Sequence, residues 1–352
     1  MTKCAELANL IGNINAGGGG ANKNAIINGA MTVAQRGTSS TGIGGSSGFF
    51  TCDRWNIDVA NTTGRLTMTQ DSSAPEGFAN SIKLACTTAD TSIASDEQLK
   101  LQQKIEGQNL QAFAKGTSSA KPFAVSFYVK GNASATYVCE LFDEDNTRQC
   151  SKTFNVTTDW TRVELTFPAD TTGALDDDNA SSLTFRIYLH AGSNFTSGTL
   201  NSSGFASNTN ANRAVGISSF FDSTDRTFFI TGVKLEVGSQ ASDFQHEDIG
   251  TTLAKCQRYY FEPQFQTSNR YGIWQGQNSN GSNFNHTFFL PVSMRAIPTT
   301  LTVADAPNDS NFAASSGVIA TMSEQSGRVE FTSNGTSATS YYFYSITADA
   351  EL

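Results

Sequence analysis

The sequence predicts an all-β protein: an N-terminal arm, a jelly-roll β-sandwich, a short linking helix and a C-terminal β-sandwich domain. Three observations carry this. Apolar residues recur at every second position in short runs. Clusters of Asn, Asp, Gly, Ser and Thr separate those runs. One segment after residue 247 has a helical period. A chain of 352 residues is long enough for roughly two domains. The expected boundaries are 1–23 for the arm, 24–247 for the jelly roll, 248–262 for the helix and 263–352 for the last β domain.

The arm is expected to make one or two helical turns over Ala5–Ile11, with Leu7, Leu10 and Ile11 on one side. So short a helix is marginal without a partner surface, which marks these three side chains as candidates for attachment. Gly17–Gly20 then gives a hinge.

Within the sandwich, Phe123, Val125, Phe127 and Val129 point one way, and Ser126, Tyr128 and Lys130 the other. Tyr137, Cys139 and Leu141 continue the pattern, as do Val163, Leu165 and Phe167. Leu183, Phe185, Ile187 and Leu189 form a fourth inward row, and Phe228, Ile230 and Val233 a fifth. After Gly238 the chain turns into a short amphipathic helix with Ile249, Leu253, Cys256 and Tyr260 about one turn apart. Strands are then expected near 271–274, 286–290, 300–303, 317–320, 328–331 and 340–346. The last is aromatic on both faces, since Tyr341 and Phe343 oppose Tyr342 and Tyr344. Two apolar faces call for cover on both sides and suggest an oligomer.

Composition excludes several classes. The net charge is −9, the pI is about 4.9 and no basic run occurs, which argues against a nucleic-acid partner. Charged residues are only 16% of the chain, yet its 25 phenylalanines argue against disorder. The N-terminus lacks the apolar core of a secretory signal, and no apolar run approaches membrane-spanning length. Synthesis and folding in a cytoplasm are therefore expected. Six dispersed cysteines without a CxxC spacing signal neither a zinc site nor a disulfide framework, and are expected as reduced core residues.

Three sets of residues are candidates for chemistry. On the outward rows stand Tyr128, Lys130, Arg162, Glu164, Arg186, Tyr188 and His190. Rings flanked by charged groups suit a sugar, because the ring covers the C–H face and polar neighbours bond the hydroxyls. The same pattern also fits a solvated face or a subunit contact. Trp274 near Tyr271 is a second, smaller platform, although Trp55, Trp160 and Trp274 are read first as core or sandwich-edge residues. Acidic clusters at Asp143, Glu144 and Asp145 and at Asp176, Asp177 and Asp178 offer hard oxygen ligands for a structural calcium. Without an EF-hand spacing they read first as ordinary polar turns, and calcium is the minority reading. Three scattered histidines and the absence of GxSxG, HExxH or P-loop motifs argue against an enzyme.

Three segments resemble one family. NAIINGAMTVAQRGTSS with FFTCDRW comes first; KPFAVSFYVKG, TTDWTRVELTFPAD and FFITGVKLEVG follow; LAKCQRYY with FLPVSMRAIPTT and TADAEL closes the chain. In this order they resemble bacteriophage tail-fibre and related virion proteins. The middle set is similar to the jelly-roll carbohydrate-binding modules attached to glycosidases, and AELANLIGNINAGGGG resembles the start of such proteins from marine bacteriophages. The resemblance implies a homotrimeric virion fibre or receptor-binding subunit, made in the host bacterial cytoplasm and fixed to the particle by its arm. It implies host surface polysaccharide and other virion proteins of the tail, portal or capsid as partners, with no membrane insertion. The rivals are a capsid fibre or decoration protein without a receptor role, and a polysaccharide-degrading tail spike.

Overall fold

The structure, a computed structural model, describes residues 23–262, 272–278, 283–298, 300–305, 318–332 and 337–352. The arm residues Leu7, Leu10 and Ile11 lie outside them. The chain divides into two units, the first ending at Glu247 and the second running Asp248–Leu352.

The first unit is a jelly-roll sandwich. Its strands are β1 (Ser39–Ile43), β2 (Gly48–Phe49), β3 (Asn56–Ala60), β4 (Arg65–Asp71), β5 (Ser81–Thr88), β6 (Gln98–Glu106) and β7 (Phe123–Gly131). There follow β8 (Ala135–Asp143), β9 (Arg148–Val156), β10 (Thr161–Phe167), β11 (Ser181–Ala191), β12 (Ala206–Ser207) and β13 (Thr227–Val237). The front sheet has the order β1-β4-β5-β13-β7-β10 and the back sheet β12-β9-β8-β11-β6-β3-β2. The inward rows read from the alternation meet between them: Phe127 of the front sheet packs on Phe154 and Phe185 of the back sheet at 5.0 and 6.2 Å between ring centroids. Tyr137 meets Phe228 at 5.6 Å, and Trp55 meets Phe185 at 6.0 Å. Burying each such ring is worth about 1.5–3 kcal/mol, so the sandwich is held without cross-links. Cys52, Cys86, Cys139, Cys150 and Cys256 are buried thiols outside any disulfide. Burial pushes the Cys86 and Cys150 thiols up to about 11.

The segment before β1 completes the front sheet. Strand β13 pairs with β5 only over Thr227–Ile230, and its register against β7 then shifts between Thr231 and Lys234. Beyond that bulge, residues 24–29 take the vacant edge. Ala25 N–H donates to Leu235 O (2.8 Å) and Val233 N–H to Gly29 O (2.9 Å). The Asn24 side chain accepts from Leu235 N–H and donates to Val233 O, both at 2.9 Å. Asn28 Nδ2 then bridges Val33 O and Asp53 O, and Trp55 Nε1 donates to Asn28 O. The NAIINGAMTV, CDRW and LEVG wordings thus meet as one backbone clasp.

A third layer covers the back sheet. Residues 193–222, with a one-turn helix Ser193–Thr196, the short β12 and two 3-10 turns (Asn210–Asn212 and Phe220–Asp222), return over β8 and β11. Phe195, Leu200, Ala214 and Ile217 pack against Val138 and Tyr188 there.

In the second unit, helix Ile249–Gln257 is capped by Asp248, whose side chain accepts from Gly250 and Thr251 N–H. Its buried residues are Thr252 and Cys256, while Ile249 is 57% exposed. This corrects the expected face of Ile249, Leu253, Cys256 and Tyr260. The helix stops at Gln257 and Tyr260 already belongs to β14 (Tyr260–Phe261), so the apolar spacing runs across an element boundary. The remaining strands are β15 (Gly272–Asn278), β16 (Asn283–Phe289), β17 (Thr300–Asp305), β18 (Val318–Met322), β19 (Ser326–Thr332) and β20 (Ser337–Asp349). One sheet has the order β14-β20-β15 with β17 also on β20, and the other β16-β19-β18. The closing motifs converge: Arg295 donates to the Ala350 and Glu351 carbonyls, Arg295 N–H to Arg258 O, and Ala350 N–H to Tyr259 O. The side chains of Tyr341–Tyr344 lie outside the described residues.

Candidate functional site

The outer face of the front sheet gathers rings and charges by register alone. Tyr128 on β7 stands opposite Arg162 on β10, and Lys130 stands opposite Phe229 on β13. Phe229 in turn stands opposite Lys83 on β5. Trp160, just before β10, continues the parity of Arg162 and packs edge-on to Phe229 at 6.1 Å. The Lys130 ammonium lies 5.8 Å from the Trp160 ring and 5.2 Å from Phe229, with Lys83 at 5.4 Å from the same Phe229. Lys130 also donates to Ser73 Oγ, and Lys83 lies 3.8 Å from Asp71. At this end half-buried Trp160 stands over a buried Phe229 floor, flanked by two lysines, a hydroxyl and a carboxylate.

The other end of this face is latched. Residues 239–246 fold back onto it, and Lys234 donates to Ser242 Oγ (2.6 Å), Asp243 O and Gln245 Oε1 (3.1 Å each). Glu236 accepts from both Ser242 N–H and Oγ. Arg162 donates to Ser242 O at 2.8 Å and pairs with Glu164. Phe78 sits among Tyr128, Phe244 and His246 at 5.3, 5.2 and 4.8 Å. Gly232 makes room for it: at φ +62° it takes a left-handed conformation, and a Cβ there would fall 2.8 Å from Phe78 and 2.9 Å from Tyr128.

The remaining candidates from the outward rows do not join this face. Arg186, Tyr188 and His190 alternate outward on β11, in the back sheet, and the 193–222 layer buries all three. The expected solvent-facing row is corrected on that point. Alternation gives the side of a sheet and cannot show a later segment folding over it. Arg186 donates to Glu144 (2.7 Å) and Gln102 and lies 4.3 Å over the Phe142 ring. Glu140 is fully buried between Arg213 (2.6 and 2.8 Å) and Arg186 (3.4 Å). Burial works to raise its carboxyl, but Arg213, Arg186 and Lys100 outweigh it and hold the group below the usual range. Tyr188 is flanked by Lys100 and Arg213, with its hydroxyl unbonded among the described residues. His190 places Nδ1 at 2.8 Å from Ser219 Oγ and Nε2 at 3.0 Å from Glu97.

The acidic clusters are engaged in different ways. Asp143 is buried against the Lys115 ammonium, which also meets Asp170 at 3.1 Å. Asp145 accepts from Asp176 N–H and Asp178 from Ala180 N–H, and all three of these aspartates are exposed. Trp274 lies on β15 opposite Tyr342, its side chain outside the described residues, as is Tyr271 altogether.

Trp160, Phe229 and Lys83 were passed over in the sequence reading, Trp160 having been assigned to the core or the sandwich edge. The signal for Trp160 is the shared parity of positions 160, 162 and 164 with 128 and 130 across the β7–β10 pair, and for Phe229 its place between the inward Phe228 and Ile230. Asp90 and Glu97, on the loop between β5 and β6, carried no motif at all. The fold brings them to His190, with one ligand atom from each of the three residues within 4.8 Å of the others.

No protein-family model matches the sequence, and no curated protein matches it. Among solved structures, the chain is similar to TmCBM61 in complex with β-1,4-galactotriose at 9% identity and TM-score 0.32, covering 61% of this chain and 99% of that one. It is similar to the family 11 carbohydrate-binding module of a Clostridium thermocellum cellulosomal cellulase at 12% identity and TM-score 0.28, covering 55% and 91%. It is also similar to the enzymatically active domain of bacteriophage CBA120 tailspike protein 4 at 11% identity and TM-score 0.32, covering 61% of this chain but 21% of that one. Similarities of this size assign no ligand and no role to a residue of this chain.

Proposed function

We propose that this chain is a non-catalytic bacteriophage virion protein of the tail-fibre or receptor-binding type, whose jelly-roll unit contacts host surface glycans. The observation that supports it is the open end of the front sheet: Trp160 over Phe229, with Lys130, Lys83, Asp71 and Ser73 around the rings. A pyranose offers an apolar C–H face and a rim of hydroxyls, and such a ring-and-donor surface complements both. Tyr128, Phe78 and Phe244 extend the row of rings along the same face. The arm is the attachment to the particle, and homotrimeric assembly would raise avidity by about 10²–10⁴ over one weak site.

Binding of purified full-length protein to a glycan array, and competition with virions for host cells, test the reading. Trp160→Ala is expected to weaken binding about tenfold, the equivalent of about 1.4 kcal/mol, with an unchanged circular dichroism spectrum. Undiminished binding by Trp160→Ala and Tyr128→Ala together refutes the site. A protein that binds no glycan and blocks no adsorption is the decoration subunit instead, and release of reducing sugar identifies a depolymerising spike.

A further inference from the structure

We propose that Asp90, Glu97 and His190 form a buried site for a divalent first-row transition ion, zinc in the first instance, that pins the β5–β6 loop to β11. The inference is independent of glycan binding, since His190 lies on the covered back sheet and Asp90 and Glu97 on the β5–β6 loop, away from the outer face of the front sheet. All three are nearly or wholly buried, at 4%, 3% and 0% exposure. Their ligand atoms already lie within 4.8 Å of one another, and bonds of about 2.0–2.2 Å to one ion would draw them in to about 3.3–3.6 Å.

Charge is the first argument. Among the described ion pairs neither carboxylate meets a lysine or an arginine; Glu97 meets only His190. Two buried carboxylates with one imidazole leave a net negative site even when the ring is protonated, and buried charge without a counter-charge is costly. A dication beside a neutral imidazole makes the group neutral. Free valence is the second. The bonds to Asp90 from Thr62 Oγ1 (2.8 Å) and Thr63 N–H (2.7 Å) fall on Oδ2, and the Glu97 contact with His190 falls on Oε2, so these three do not engage Asp90 Oδ1 or Glu97 Oε1.

Orientation is the third. Ser219 Oγ lies 2.8 Å from His190 Nδ1. A proton held on that nitrogen turns the Nε2 lone pair toward the carboxylates, the arrangement that metal-binding histidines favour. The Phe221 ring closes the imidazole edge-on at 5.3 Å. Backbone bonds fix the loop, with Asp90 N–H donating to Phe221 O and Gly192 N–H to Glu97 O. One imidazole and two carboxylates suit zinc or manganese better than calcium, which prefers six or more oxygens. Burial means that the ion enters during folding.

The untagged full-length protein, produced in zinc-supplemented medium and gel-filtered, is assayed by elemental mass spectrometry. About one zinc per chain is expected, falling to background in His190→Gln and Glu97→Gln and unchanged in His246→Gln. Refolding with zinc rather than with chelator should raise the unfolding midpoint, and refolding with cobalt(II) should give a visible absorption band. Wild-type protein that carries no zinc or manganese, and whose midpoint is the same with zinc and with chelator, overturns the proposal. So does metal retained by a folded His190→Gln. If the variants fail to fold, the wild-type refolding comparison decides alone.

Discussion

Glu140 shows how far a single residue can be read ahead of the fold. Its position on β8 is apparent from Tyr137, Cys139 and Leu141, which point inward and leave Glu140 on the opposite face. Its burial is not apparent, because Arg213 arrives from a segment without periodicity. Replacing one member of a buried charged group leaves the others unpaired, so Glu140→Gln should cost about 3–5 kcal/mol in urea unfolding at neutral pH. The acid response follows from the same groups. At Glu140, Asp170 and Asp58 burial pushes the carboxyls upward, but Arg213, Arg186 and Lys100 at the first, Arg148, Thr172 N–H and Lys115 at the second, and Lys100, Arg186 and Ser47 at the third together more than offset it. Carboxylates held low contribute stability above their unfolded pKa of about 4 and lose it as pH falls through the folded values. The midpoint should therefore be flat between about pH 5 and 8 and drop in more acid solution. The deficit of Glu140→Gln should narrow over the same acid range.

Among the elements, strands were the most legible and the segments that lie on them the least. All five inward rows named from alternation line the sandwich core, because a half-buried strand imprints its period on the sequence. The 193–222 cover and the 239–246 latch are held by hydrogen bonds from Asn, Ser and Asp to particular backbone atoms, which leave no period. The clasp of residues 24–29 on β13 lies between these cases: its residues were marked as a motif, but not its partner. A Cβ on Gly29 would fall 2.1 Å from Val233 O, so Gly29→Ala must displace backbone. It should destabilise by about 1–3 kcal/mol. Asn24→Ala, which removes three hydrogen bonds, should act in the same direction by about 1–3 kcal/mol. If both variants unfold at the wild-type urea concentration, the clasp is not part of the cooperative fold.

At the scale of the molecule, each unit has its own core, Phe123, Phe127 and Phe185 among the residues of the first and Phe288, Val329 and Phe331 of the second. A fragment ending at Glu247 is expected to unfold cooperatively and to keep the single-site affinity of the proposed glycan site, without the avidity of an assembled chain. Light scattering on the full chain, with a mass three times that of one polypeptide expected, tests the homotrimer.

The clasp has a further consequence. Residues 24–29 run antiparallel to the last strand, Ala25 N–H bonded to Leu235 O at 2.8 Å, so the first and last backbone segments of the sheets are neighbours before residues 239–246 turn back onto the face. Such an arrangement favours transplantation into an exposed turn of an unrelated carrier. A pull on residues 24 and 237 would part the two segments like a zip, one backbone bond at a time.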